Sequence, residues 1–214
     1  NRIQGGVAVY ISKPHIIDEK TLVNFSNGTC DAIIVKIREV DTHLVCVYRP
    51  PDTKSEQFTE CLNVIKNYFK DKTLHENIIM LGDYNFPHLQ WNNYDNKIIP
   101  SVKTGGTVDC QAQARNLLEL TDSLFLEQKV LCETRGNNTL DLIFCNNDDL
   151  IEDIISTDTA ISDHKLITTK LDIGNKRETK PNDVKKLDSC SKLENFAFWS
   201  KKCNWEAATN TIKY

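Results

Sequence analysis

Asn77-Ile78-Ile79-Met80-Leu81-Gly82-Asp83-Tyr84-Asn85 is the stretch of sequence that best indicates the fold. A short, continuously apolar run such as residues 77–81 is typical of a central strand that is covered on both faces. The run ends at Gly82, where the backbone can turn tightly, so Asp83 and Asn85 follow at the mouth of a buried strand and can face one cleft. A Gly-Asp-x-Asn sequence alone is also explained by an Asx turn after a strand.

Strands and one helix are predicted upstream of this stretch. Residues 6–12, 32–37 and 43–48 have the β-branched composition and partial alternation of strands. Thr53, followed three residues later by Glu56, is a capping-box pattern, and apolar residues then recur at helical spacing. We therefore predict a helix over residues 53–70.

Downstream, the polar residues 87–107 contain Gly and Pro and predict a loop, and residues 109–120 predict a second helix. Three further runs predict strands: residues 140–145, 151–155 and 166–171. This order of strands and helices indicates a mixed α/β domain.

The composition fits one folded domain. The chain has 214 residues, 40% hydrophobic and 26% charged, which excludes collagen, coiled coil and wholesale disorder. We expect residues 1–173 to form the domain, residues 174–192 to be a linker, and residues 193–214 to begin a segment that leads toward something else. No run approaches the roughly 20 apolar residues that span a bilayer, and no signal peptide is visible. We therefore expect no membrane partner and an intracellular location.

The cysteines and the charge restrict the chemistry. Eight cysteines are scattered singly, without zinc-ligand spacing, so we expect reduced thiols and no zinc site, although an even count also permits disulfides. The net charge of -4 gives no general attraction to polyanions. Any contact with nucleic acid must therefore come from a local patch or from bound cations.

Asp141 is a carboxylate inside a strongly apolar predicted strand. Burying an unpaired charge costs several kcal/mol, so Asp141 needs a partner. His164, in the triplet Ser162-Asp163-His164, is a natural one, because a buried aspartate fixes the tautomer of a histidine and stabilises its protonated form. A turn cap or a pair with lysine remains an alternative for Asp141.

Tyr48 and Arg49 stand at the end of a predicted strand, before two prolines. A phenol and a guanidinium at this place can reach an anionic phosphate. Simple packing of the tyrosine at the strand end is the alternative.

Five motifs, in this order along the chain, resemble those of the endonuclease/exonuclease/phosphatase superfamily. They are Gly6-Val7-Ala8-Val9-Tyr10, Val47-Tyr48-Arg49-Pro50-Pro51, Gly82-Asp83-Tyr84-Asn85-Phe86, Thr139-Leu140-Asp141-Leu142-Ile143-Phe144 and Ser162-Asp163-His164. Each is weak alone, and the ordered set is specific. Its details most resemble the endonuclease of Jockey/CR1-like non-LTR retrotransposons, in which a reverse transcriptase follows, and the resemblance covers residues 5–171.

The resemblance implies a four-layered α/β sandwich of the DNase I type, with Mg²⁺ in a cleft between two sheets. Asp83 would activate the attacking water, Asn85 would hold phosphate and water, and Tyr48 would contact the phosphate. His164, oriented by Asp141, would act as a general base or stabilise the charge at phosphorus. Asp163 would help bind the metal, and Ser162 and Thr134 resemble secondary phosphate-contacting positions.

The implied activity is Mg²⁺-dependent nicking of DNA in the nucleus for target-primed reverse transcription, with element RNA bound by the downstream reverse transcriptase. In the superfamily a first strand with an Asn and a metal-binding Glu precedes the segment that begins at Gly5. We therefore expect the chain to be N-terminally truncated, to lack its first strand, and to be inactive or poorly folded alone.

Two alternatives differ in substrate or in class. A phosphatase or phospholipid diesterase of the same superfamily would be distinguished by assays on inositol phosphates or sphingomyelin. A non-catalytic remnant would be distinguished by the sequence encoded upstream of Asn1, because decay would leave a stop or unrelated sequence there.

Overall fold

The structure is a computed structural model. It describes residues 5–12, 15–38, 40–72, 76–94, 97–103, 106–172 and, as a strand backbone, 193–198. Among these residues it contains two α-helices and eleven strands, which form one large sheet, one three-stranded sheet and one two-stranded hairpin.

The large sheet has six strands in the order β1-β2-β3-β4-β8-β7. Its members are β1 (Val23–Ser26), β2 (Asp31–Ile37), β3 (Thr42–Tyr48), β4 (Asn77–Asp83), β7 (Glu127–Gln128) and β8 (Asp141–Cys145). Strands β3 and β4 are parallel, and α1 (Ser55–Phe69) connects them. The predicted central strand is confirmed, since β4 lies between β3 and β8 and is buried from Ile78 to Asp83.

The smaller sheet has the order β11-β10-β9, with antiparallel pairs. Its strands are β9 (Ile151–Thr157), β10 (Leu166–Leu171) and β11 (Leu193–Phe198). Separately, β5 (Leu89–Tyr94) and β6 (Lys97–Val102) pair as a hairpin, and α2 (Val108–Ser123) follows them.

Two apolar clusters hold these elements together as layers. The first lies between the helices and one face of the large sheet, with Phe58, Leu117 and Met80 among its buried members. The second lies between the other face and the smaller sheet, and includes Leu81, Ile143 and Ile167. Helices, large sheet and small sheet are thus successive layers, which confirms the α/β class. In the described part of the chain no helix covers the outer side of the small sheet.

Residues 6–12 are not a strand, which corrects the prediction. Val7, Val9 and Ile11 are half-buried and pack on the second cluster, while the intervening residues are exposed, as in a strand. However, the segment has no β-ladder with any described residue. Apolar alternation sets the facing of side chains, but a strand also needs hydrogen bonds from a neighbour.

Residues 87–107 are also not a loop throughout, since they contain the β5–β6 hairpin. Leu89 and Trp91 are buried on one side of β5, and Trp91 stacks edge-on against Phe144, with 5.9 Å between ring centroids. Pro100 lies in β6, which among the described strands pairs with β5 alone. A proline is tolerated in such an edge strand because no partner requires its missing N–H.

Helix α1 begins two residues later than predicted. The hydroxyl of Thr53 donates to Pro50 O at 2.7 Å, and the amide of Lys54 donates to Gln57 Oε1 at 3.3 Å. The predicted Thr53–Glu56 capping box is therefore wrong by one position. The short strands β1 and β7 were also not predicted, because four and two residues carry little periodicity.

Strand β11 is the last described element of the chain. It pairs with β10, and residues 173–192 and 199–214 lie outside the described residues, so the division into domain, linker and following segment stays a prediction.

The described cysteines have thiols that are not in disulfides: Cys30, Cys46, Cys61, Cys110, Cys132 and Cys145. None of the described helices is long and apolar enough to cross a membrane.

Candidate active site

Three of the predicted site residues lie in one row across the large sheet. Tyr48 of β3 is the register partner of Asp83 of β4, and Asp83 is the register partner of Asp141 of β8. Directly opposite residues in neighbouring strands present their side chains on the same face. Strand alternation assigns this row to the face of Leu81 and Ile143, which is the face toward the smaller sheet.

His164 reaches this row from the segment that precedes β10. Its Nδ1 and Asp141 Oδ2 are 2.8 Å apart, and both residues are buried. The hydroxyl of Ser162 accepts a hydrogen bond of 3.0 Å from the backbone amide of His164, which shapes the approach of the imidazole. The predicted pairing of Asp141 with His164 is thus present in the structure.

The loop after Asp83 is held tightly. The amide of Asn85 donates to Asp83 Oδ1 at 3.1 Å, and Asn85 has a φ of 48°, which a non-glycine residue rarely adopts. The role of Gly82 differs from the predicted turn, since it lies within β4. A Cβ at Gly82 would lie 1.8 Å from the carbonyl oxygen of Val47, so the two strands approach this closely only with glycine.

Asp83, Asp141 and His164 form one group of side chains, and the electrostatics of this group favour proton transfer. Burial and the negative charge of Asp141 raise the pKa of Asp83 to about 7, against the opposing effects of His164 and Asn85. Burial alone would lower the pKa of His164, but the hydrogen bond that its Nδ1 donates to Asp141 and the charges of Asp141 and Asp83 raise it above its ordinary value. A carboxyl group with a pKa of about 7, beside an imidazole with a raised pKa, suits acid–base catalysis.

The same group can hold a cation. Asp83, Asp141 and His164 each offer one ligand atom, and these atoms all lie within 4.8 Å of one another. Two carboxylates suit Mg²⁺ or Mn²⁺, which bind oxygen, whereas an imidazole is a better ligand for later transition metals. The donor set therefore fits a divalent cation that is held mainly by the two carboxylates.

Tyr48 lies in the row, but it is buried rather than open to a ligand. Only 1% of its surface is exposed. The backbone of Gly5 covers the phenol, because a Cβ added at Gly5 would lie 2.5 Å from Cε1 of the Tyr48 ring. A phosphate can reach the phenol only if the segment around Gly5 moves.

Arg49 does not face a phosphate, in contrast to the possibility raised by its position at the strand end. Its side chain is 1% exposed and donates from Nη1 to the carbonyl oxygens of Tyr84 and Asn85, at 3.1 and 3.0 Å. The guanidinium carbon lies 4.1 Å from the centroid of the Phe86 ring. The guanidinium of Arg49 therefore binds backbone carbonyls and an aromatic ring inside the protein.

The remaining predicted positions lie beside the group rather than in it. Asp163 is half-exposed and forms an ion pair with Arg135, so its assignment as a metal ligand stays a prediction. Thr134 is fully buried, and its hydroxyl accepts hydrogen bonds from the amides of Leu140 and Asp141, at 2.9 and 3.0 Å. The structure thus gives Thr134 a contact that positions Asp141.

The sequence analysis missed one buried polar side chain near the group, Gln113 of α2. It is 1% exposed, and its Oε1 accepts a hydrogen bond of 2.7 Å from Arg49 Nε. A signal was present, because Gln113 stands next to Ala114 and four residues before Leu117, on the apolar side of the helix. A polar residue at such a position needs a buried partner.

The fold and this group of residues define an α/β protein with a buried Asp/His site between two sheets. The sequence profile of the endonuclease–reverse transcriptase family matches residues 42–168, more than half of the chain and the segment that contains the whole group. The chain belongs to this family, and with it to the endonuclease/exonuclease/phosphatase superfamily that the motifs indicated.

Two solved structures are similar to the chain at low identity. The endonuclease domain of TRAS1, a telomere-specific non-LTR retrotransposon, is 14% identical, with a TM-score of 0.47, over 75% of this chain and 70% of that one. An AP endonuclease from Archaeoglobus fulgidus is 16% identical, with a TM-score of 0.44, over 66% of this chain and 65% of that one. No curated protein matches the chain by sequence.

Proposed function

We propose that this chain is the endonuclease part of a non-LTR retrotransposon protein, and that it nicks DNA with the help of a divalent cation, in the first instance Mg²⁺. The observation that carries the proposal is the buried His164–Asp141 pair beside Asp83, whose pKa is raised to about 7. Family membership supports nucleic acid as the substrate.

The chemistry follows from the protonation states that the site favours. Asp83, once ionised, accepts a proton from the water that attacks phosphorus. His164, kept protonated by Asp141, donates a hydrogen bond to a nonbridging oxygen and stabilises the charge that develops there. The P–O3′ bond then breaks to leave a 5′-phosphate, the leaving oxygen takes up a proton from solvent to give a 3′-hydroxyl, and Asp83 returns the proton of the attacking water to solvent.

Two further residues assist in this proposal. Asn85 binds the phosphate or the water from the loop that follows β4, and Tyr48 contacts the phosphate once the segment around Gly5 has moved. Ser162 and Thr134 act through the backbone of His164 and Asp141, by the hydrogen bonds that they accept.

Asp83 and Asp141 would hold the divalent cation, which would supply positive charge to the phosphodiester and to the leaving oxygen. It would also offset the negative charge of the chain near the DNA, which a net charge of -4 otherwise repels. The 3′-hydroxyl would prime reverse transcription of element RNA by the reverse transcriptase that we expect to follow, in the nucleus.

Plasmid nicking tests the proposal. The chain is assayed alone and within the longer polyprotein, with supercoiled plasmid in Mg²⁺, Mn²⁺ or EDTA, and the ends are tested for extension by a DNA polymerase. We expect the longer polyprotein to give open circles with extendable 3′ ends in the presence of a cation and none in EDTA. Release of phosphate from inositol phosphates or hydrolysis of sphingomyelin, without nicking, would show one of the alternative activities instead.

A further inference from the structure

Arg49 is a buried cation in an unusual environment. It is 1% exposed, and in the part of the chain that the structure describes it forms no ion pair. Removing a charge from water costs several kcal/mol, and apolar residues of similar size often stabilise a protein as well or better. A contribution to stability therefore does not explain why a guanidinium occupies this place.

The contacts of Arg49 converge on the loop that carries Asn85. Nη1 donates to the carbonyl oxygens of Tyr84 and Asn85, while the carbonyl oxygen of Arg49 accepts a hydrogen bond of 2.9 Å from Asn85 Nδ2. Asn85 is thus held through both its backbone and its side chain. This matters because its positive φ of 48° is a conformation that costs energy and persists only when the surroundings enforce it.

Gln113 fixes the orientation of the guanidinium. Its Oε1 accepts from Arg49 Nε at 2.7 Å, while its Nε2 donates to Thr53 O and to Asp109 Oδ2, both at 2.8 Å. An amide whose nitrogen is held in this way keeps its oxygen directed at Arg49. Helix α2 is thereby connected, through Gln113 and Arg49, to the loop of Asn85.

We infer that Arg49 and Gln113 are a positioning pair that sets the orientation of Asn85 in the active site, an inference that rests on the proposed nuclease function. Neither residue touches the substrate, and both act through Asn85. Misplacement of a catalytic group by about 1 Å can lower a rate by about 10²-fold.

A double-mutant cycle tests the pair. Single-turnover nicking rates are measured for the wild type, Gln113→Leu, Asn85→Ala and the double variant, within the longest polyprotein that contains the chain. We expect Gln113→Leu to lower the rate constant by about 10²-fold with little change in KM, and to lower it less than about threefold in the Asn85→Ala background. Equal losses in both backgrounds would overturn the inference.

Three further variants separate positioning from folding. Gln111→Leu changes an exposed glutamine on the same helix and should leave nicking unchanged. Gln113→Glu keeps an oxygen that can accept from Arg49 Nε but loses the amide that donates to Thr53 O and Asp109 Oδ2, so it should recover only part of the rate lost in Gln113→Leu. Arg49→Lys keeps the charge but lacks the Nε–H that donates to Gln113 Oε1 while Nη1 donates to the two carbonyls, and it should lose rate as Gln113→Leu does.

If the wild type does not nick DNA, the proposed function is refuted but the positioning inference is not. Amide hydrogen exchange then tests the positioning inference. The amide of Asn85, bonded to Asp83 Oδ1, should exchange at least about tenfold faster in Gln113→Leu than in Gln111→Leu, with other regions unchanged. Equal exchange in the two variants would overturn the positioning role independently of activity.

Discussion

Two buried histidines, each 2.8 Å from a carboxylate, lie at opposite ends of the same sheet. His164 contacts Asp141 at the end where β4 finishes at Asp83. His43, near the start of β3, contacts Glu76 before the start of β4, and Tyr68 binds its other ring nitrogen at 3.0 Å. The pairs look alike in distance and differ in their neighbours.

The neighbours decide the protonation of each ring. Burial lowers the pKa of His43, and Glu76 restores it only in part because Lys36 shares the same carboxylate. At the other end, the unshared Asp141 and the nearby Asp83 more than offset burial and raise the pKa of His164. The charges beside a histidine–carboxylate pair therefore decide whether the pKa of the histidine is lowered, as in His43, or raised, as in His164.

The largest expected difference between the two ends is in activity. We expect His164→Gln to lower the nicking rate by about 10²- to 10⁴-fold, the usual contribution of an acid–base group. His43→Gln should leave the rate of the folded protein within a small factor, because His43 lies at the far end of β3. Single-turnover nicking at matched folded protein concentration measures both, and equal losses would contradict the distinction.

The second expected effect is on stability and comes from Asp83, which has no counterpart beside His43. Its raised pKa means that its contribution to stability is present at low pH and is lost as the pH rises through about 7. Asn cannot ionise, so Asp83→Asn should be more stable than the wild type at pH above about 8, by a few kcal/mol, and closer to it in acid. Urea unfolding in EDTA measures this, and a variant less stable at alkaline pH would contradict it.

A smaller expected effect is the pH dependence of the stability that each histidine contributes. The lowered pKa of His43 gives stability that is present above its ordinary value of 6.5 and lost as the pH falls through the lower value. The raised pKa of His164 gives stability that is present below 6.5 and lost as the pH rises through the higher value.

The stability lost in His43→Gln should therefore grow from acid to alkaline pH, and that lost in His164→Gln should shrink. Urea unfolding in EDTA at several pH values measures both, and parallel trends for the two variants would show that the rings have similar protonation behaviour.

The smallest expected effect concerns two tyrosines. Tyr68 OH is bonded to His43, whereas Tyr84 OH is buried and has no hydrogen-bond partner among the described residues. Tyr68→Phe should cost about 1 kcal/mol, and Tyr84→Phe should be neutral within about 0.5 kcal/mol or stabilising. Thermal unfolding of both variants checks this, and a larger loss for Tyr84→Phe would reveal a partner for its hydroxyl.

The elements around the site were predictable because their signals are local. Apolar runs, helical spacing and strand-end motifs indicated β3, β4, α1, α2 and β8, and the burial of Asp141 in an apolar strand indicated its pairing with His164. The register that aligns Tyr48, Asp83 and Asp141 is not a local property, since it depends on which strands are neighbours.

The errors also have physical causes. Residues 6–12 have the alternation of a strand, but pairing requires a neighbour that periodicity does not report. Arg49 was a possible phosphate contact because its chemistry allows it, whereas its burial and its backbone contacts give it internal partners. Side-chain chemistry limits the possible roles of a residue, and tertiary packing selects among them.

The most direct measurement of the central claim is the nicking rate of Asp83→Asn beside that of Asp153→Asn, with folding of both checked by thermal unfolding. Asp153 is an exposed carboxylate paired with Lys170 and lies on β9, outside the site. We expect Asp83→Asn to lose nicking by at least about 10²-fold and Asp153→Asn to nick like the wild type. Nicking by folded Asp83→Asn at the wild-type rate would contradict the claim that this buried group cleaves DNA.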